Sequence, residues 1–110
     1  MANTIKEKTK LNTGISSGVS TIYTVPSSTT AVLVGLTLAN TSASAITATV
    51  TLTNNDGDNV TLLKDAPIPT GSSLEMMSGN KIVMEASDIL KAYSSAANTL
   101  DCTLSLMEIT

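Results

Sequence analysis

Between residues 45 and 53 the chain alternates with a period of two. Ile46, Ala48, Val50 and Leu52 fall on one side, and Thr47, Thr49, Thr51 and Thr53 on the other. Helical patterns repeat apolar residues every three or four positions, whereas strict alternation marks a strand with one buried and one wet face. Threonine reinforces this, because its β-branched side chain suits an extended backbone. Alternation returns near the C-terminus, where Leu100, Cys102, Leu104 and Leu106 are expected to point inward and Asp101, Thr103, Ser105 and Met107 outward. Residues 31–39 alternate less cleanly. Val32, Val34, Leu36 and Leu38 make one face, and Ala31, Leu33, Gly35, Thr37 and Ala39 a second that is small and partly apolar, as in a central strand or one covered on both sides.

Turn chemistry separates shorter strands over residues 19–25, 59–63, 73–76, 81–85 and 89–94. Pro26-Ser27-Ser28 ends the first, and Asn40 to Ser44 form a polar connection. Asn54-Asn55-Asp56-Gly57-Asp58 predicts a hairpin, since Asp-Gly accommodates positive φ. Pro67 and Pro69 exclude a central strand, for want of donor N–H groups. Ser78-Gly79-Asn80 predicts a tight turn, and Glu85 to Asp88 a connection, with room for a helical turn. The expectation is an all-β chain: an antiparallel β-sandwich or jelly-roll-like domain of about eight short strands. Residues 15–110 form that domain and residues 1–14 an N-terminal arm.

The core must be thin. Of 110 residues, only Tyr23 and Tyr93 are aromatic, so Val, Leu, Ile, Ala and Met do the filling. A small core of this kind is commonly supported by oligomerisation. Methionine suits irregular gaps, and Met76, Met77, Met84 and Met107 are read as core filler or intersubunit contacts. Cys102 is the only cysteine, which excludes an intramolecular disulfide and a thiol-rich zinc site. Its alternating neighbours make it a small buried residue.

Charge is unevenly spread. Lys6, Lys8 and Lys10 against Glu7 give residues 1–10 a charge of +2, so the remainder carries −5 of the net −3. An acidic body without arginine is poorly suited to phosphate neutralisation, so nucleic acid is not expected as a partner. The opening MANTIKEKTKLNTG is polar, and no run of 18 apolar residues occurs, so neither a targeting segment nor a membrane span is expected.

Chemistry is scarce as well. No histidine is present, which removes Ser-His-Asp and Cys-His nucleophile systems. Serines and Lys64, Lys81 and Lys91 exist, but nothing pairs one with another in an apolar pocket. Asp56 and Asp58 resemble the opening of a calcium loop only superficially: position six is Thr61 where glycine is needed, and position twelve is Pro67 where a bidentate glutamate belongs. They, Glu85 and Asp88 read as turn residues. No phosphate-binding glycine loop occurs. The Asn40-Thr41-Ser42 and Asn59-Val60-Thr61 sequons are expected to stay unmodified. No enzyme, cofactor, metal or small-molecule substrate is expected.

Several stretches resemble a group of small tailed-bacteriophage virion proteins. They are Tyr23-Thr24-Val25-Pro26, Val34 to Asn40 (VGLTLAN), Lys64 to Leu74 (KDAPIPTGSSL), Lys81 to Glu85 (KIVME) and Leu104 to Ile109 (LSLMEI), with KDAPIPTGSSL the most specific. The resemblance implies a non-enzymatic component located in the virion, in an accessory decoration, cement, neck or tail role. Its partners would be other virion proteins and copies of itself. Ile5, Lys6, Lys8, Lys10 and Leu11 of the arm, with Met76, Met77 and Met107, are the candidate assembly contacts. The alternative is a carbohydrate- or receptor-binding module of a fibre or tail, which would need aromatic platforms and has only Tyr23 and Tyr93 to offer.

Overall fold

The computed structural model describes the backbone of residues 3–13, 20–77, 81–96 and 99–110, and the side chains of these except 10–13 and 20. Nine strands occur among the described residues: β1 Asn3–Thr13, β2 Ser20–Thr24, β3 Thr30–Asn40, β4 Ile46–Thr53, β5 Asn59–Ile68, β6 Ser73–Glu75, β7 Ile82–Met84, β8 Ile89–Ser94 and β9 Leu100–Ile109. They form two antiparallel sheets. One runs β1-β9-β3-β6 with β7 also on β3, and the other β2-β8-β4-β5. The all-β sandwich expected from alternation is the observed architecture.

The core lies between the sheets. From the first come Leu33, Leu36, Leu38, Leu100, Cys102, Leu104 and Leu106, and from the second Ile46, Ala48, Val50, Leu90 and Ala92. Val25, Met77 and Met84 belong to the same buried cluster. Burying one such leucine is worth roughly 1.5–3 kcal/mol, so repeated aliphatic positions stand in for the missing aromatics. Both Met77 and Met84 are gap fillers in this sense. Cys102 is buried, as its neighbours imply.

Four details differ from the sequence expectation. The first is β3, whose parity changes midway. Ala31 and Leu33 are buried, then Leu36 and Leu38, while Val32 and Val34 are outside. A bulge lies between Leu33 and Gly35 opposite Leu106 and Ser105, so Val34 is an extra residue and every later side chain changes face. The second is the threonine face of β4. Thr49 and Thr51 are buried rather than wet. Opposite Thr49, β5 places two residues, Lys64 and Asp65, one more than the ladder needs. Asp65 adopts a φ of 49° and its N–H donates to the Thr49 hydroxyl at 3.1 Å, which folds the bulge over that position.

The third concerns length. β5 continues through Pro67 to Ile68. It is an edge strand, so proline costs it no ladder bond on the open side. The fourth is β1: residues 3–13 of the expected arm form an eleven-residue strand. It pairs with β9 from Asn3↔Ile109 to Thr13↔Leu100, with a shift after Lys10.

The connections follow the expected turn chemistry where they are described. Gly57 has φ +93° in the β4–β5 hairpin, and Asn54 Oδ1 accepts from the N–H of Asp56 and Asp58. Residues 85–88 are a turn without helix, with Ser87 at φ 74°. The buried Asp88 carboxylate accepts from Glu85 N at 2.9 Å and Asn55 N at 3.0 Å, joining this turn to the hairpin. Asn40 is buried, and its amide donates to Ser44 O and Ile68 O, so the first sequon has its asparagine committed to the fold. The expected turn at residues 78–80 lies outside the described residues.

Candidate assembly surface

The first sheet brings most of the candidate contacts together. β1 is its edge, and alternation gives that strand two chemically distinct sides. Thr4, Lys6 and Lys8 share register with Glu108, Leu106 and Leu104 and so lie on the sandwich side. Ile5, Glu7 and Thr9 pair with Met107, Ser105 and Thr103 on the outer side. All described side chains of β1 are exposed. Lysines on the inner side of an edge strand are a common device against indiscriminate strand pairing.

One buried carboxylate ties β1 to both sheets. Glu108 continues the inward series of β9 one step beyond Leu106. Its Oε2 accepts the Tyr23 hydroxyl of β2 at 2.5 Å, and its Oε1 lies 2.9 Å from Lys6 Nζ. The Tyr23 bond, then Lys6 and more weakly Lys8, hold the Glu108 carboxyl below the usual glutamate range against the opposing effect of burial. Burial, and secondarily the Glu108 carboxylate, push the Tyr23 hydroxyl well above the usual tyrosine range. Both partners therefore keep the charge states the contact needs at neutral pH. The Tyr23 hydroxyl is thus strongly disposed to keep its proton.

The outer face of this sheet is the second element. Ile5, Met107, Val32 and Val83 are successive cross-strand partners through β1, β9, β3 and β7, forming one transverse apolar row. Ile5 is 82% exposed and Val83 63%. The β3 bulge adds Val34 beside them. Further along the face stands Glu75, where β6 and β7 leave a gap on β3. Its carboxylate accepts from Leu36 N at 2.9 Å, Thr37 Oγ1 at 3.0 Å and Met77 N at 3.1 Å. Burial pulls its pKa upward, and these three donors outweigh that and hold it below the usual range. Glu75 thus replaces a missing strand neighbour.

The remaining candidates are scattered. Met77 is in the core and Met76 packs against it half-buried, at the opposite edge from β1. Lys10 and Leu11 lie on β1, with Lys10 opposite Cys102; their side chains are outside the described residues. Tyr23 is consumed by the core and Glu108, leaving Tyr93, half-buried, as the other ring. Glu108, Glu75 and the apolar row escaped the sequence reading. Extending the alternation of residues 100–106 by two positions would have found Glu108. Among the described residues no group of three or more His, Cys, Asp or Glu is placed to hold a metal, and no helix is long and apolar enough to cross a membrane.

No protein-family model matches the sequence, and neither does any curated protein. Solved structures do match by fold. A subunit of Bacillus endospore appendages, described as disulfide-linked pili, is 14% identical with a TM-score of 0.60, over 99% of this chain and 88% of that one. The capsid structure of Helicobacter pylori bacteriophage KHP30 contains a chain 14% identical with a TM-score of 0.54, over 100% of this chain and 94% of that one. A chain of infectious bursal disease virus, Gx strain, is 12% identical with a TM-score of 0.59, and there the match spans 98% of this chain but only 33% of the viral one. The chain therefore has the β-sandwich fold found in viral capsid and pilus proteins.

Proposed function

We propose that this chain is a non-enzymatic structural subunit of a tailed-bacteriophage virion. In this reading it is an accessory decoration, cement, neck or tail component that assembles with copies of itself and with other virion proteins, and it resides in the particle. One observation carries the reading. A strand of eleven residues sits at the edge of a sheet with every described side chain exposed, beside an exposed apolar row. Edge strands offer unpaired backbone groups, and exposed apolar rows mark contact surfaces. The fold likeness to capsid and pilus subunits and the resemblance of KDAPIPTGSSL to small virion proteins support it. The arm of residues 1–14 acts here as the attachment element, through Ile5, Lys6, Lys8, Lys10 and Leu11, with Met76 and Met107 as further contacts and Met77 supporting them from the core.

Localisation in purified virions tests this. Gold-labelled antibody against the chain, followed by a particle map, should show density repeating with the symmetry of the head, neck or tail. Absence of the chain from purified particles contradicts it.

A further inference from the structure

We propose that the outer face of the β1-β9-β3 sheet docks a second copy of this chain, which presents the lysine side of its own β1. The inference rests on the assembly reading above and names the surface and the partner within it. The apolar row Ile5–Met107–Val32–Val83 crosses four strands without interruption. Two residues from Ile5 along β1, roughly 7 Å away, stands Glu7. Asp101 and Glu75 carry the other charges at strand positions on this side of the sheet, and Lys81 and Glu85 flank β7, each two residues from Val83. Apolar ground with a carboxylate one step away matches a lysine side chain, whose methylene stem covers the row while its ammonium reaches the acid.

The chain supplies such lysines in one place. Lys8 stands on the sandwich side of β1 beside Lys6, whose ammonium lies 2.9 Å from Glu108 while its side chain stays 43% exposed; Lys10 follows opposite Cys102, and no other segment has more than one lysine. Spacing of two residues sets the Lys6 and Lys8 stems roughly 7 Å apart, wider than the roughly 4.8 Å between neighbouring strands of the face. The strand acids on the outer face are Glu7, Glu75 and Asp101, whereas the other side of β1 carries Lys6 and Lys8, so the two surfaces are of opposite sign. Docking one surface on a different one is heterologous. Repetition gives a ring if the rotation closes and a filament if it does not.

Sedimentation of the full chain at increasing concentration tests the proposal. The wild type should self-associate, and more weakly as salt rises from about 0.1 M to about 1 M, where the Debye length falls from about 10 Å to 3 Å. The pair Ile5→Lys and Val83→Lys should weaken association by roughly tenfold or more through like-charge contact. Both positions are exposed, so the fold should survive, checked by circular dichroism. Lys8→Glu and Glu7→Lys should each weaken it, and an equal mixture of those two variants should restore it, because the acidic β1 of one then meets the basic face of the other. A mixture that stays dissociated overturns the proposal. So does unchanged association of the double lysine variant, or a wild type that remains monomeric. A monomer still found in virions removes this interface and leaves the assembly reading standing. Self-association as described, by a chain absent from particles, does the reverse.

Discussion

β9 has a neighbour on each side, and the two are bound to it by similar backbone ladders. β3 pairs with it over ten positions and β1 over nine. Their side chains have opposite fates. On the inner side β3 presents Ala31, Leu33, Leu36 and Leu38, all at 0% exposure, and β1 presents Thr4, Lys6 and Lys8, all exposed. Hydrogen bonds alone therefore make a strand, but burial decides how firmly it belongs. A backbone bond contributes a net of about 0.5–1.5 kcal/mol, and water competes for it at an edge. β1 adds to its ladder little beyond the Lys6–Glu108–Tyr23 contact.

The sharpest way to break this comparison is to damage the shared strand on its β3 side. Leu104→Ala removes a fully buried side chain and should cost about 2–5 kcal/mol in denaturant unfolding, with the whole domain destabilised together. Glu108→Ala should cost less, about 1–3 kcal/mol, by leaving the Tyr23 hydroxyl buried without its acceptor. Its signature is selective: β1 amides lose protection against hydrogen exchange while β3 amides opposite the same strand change little.

The same contact predicts a pH profile. The folded pKa of Glu108 lies below the ordinary 4.5, so its contribution is complete above about that pH. It is lost as pH falls below 4.5 through the folded value. The folded pKa of Tyr23 is raised from 10.0, so its contribution is complete below pH 10.0 and lost as pH climbs above it. Stability measured against pH should therefore be flat between these limits as far as this pair is concerned, and Glu108→Gln should soften the acid limb. Smallest of all is the outer side of β1, where Ile5→Ala should change stability by no more than about 0.5 kcal/mol.

The core half of the comparison was largely legible in the sequence. Alternation at Ile46–Leu52 and Leu100–Leu106 fixes which residues face inward, because one face of each strand is covered by the other sheet. β3 defeated simple alternation because an extra residue reverses parity. Gly35 beside Val34 was the available sign, since an isolated glycine within a strand pattern often marks a bulge. β1 was harder to see. Its period of two is written in lysines and not in aliphatic residues, a pattern that hydropathy treats as a polar terminus. The apolar row was out of reach, since its residues are distant in sequence and meet only through the register of four strands.

Residue-resolved hydrogen exchange on the chain in solution addresses the central claim most directly. If β1 is an edge held by its ladder and one carboxylate, its amides should exchange through local opening, well before those of β3, under conditions where β3 reports global unfolding. Exchange of β1 and β3 together at the global rate would contradict that account, and would make β1 as integral to the sandwich as the strand on the other side of β9.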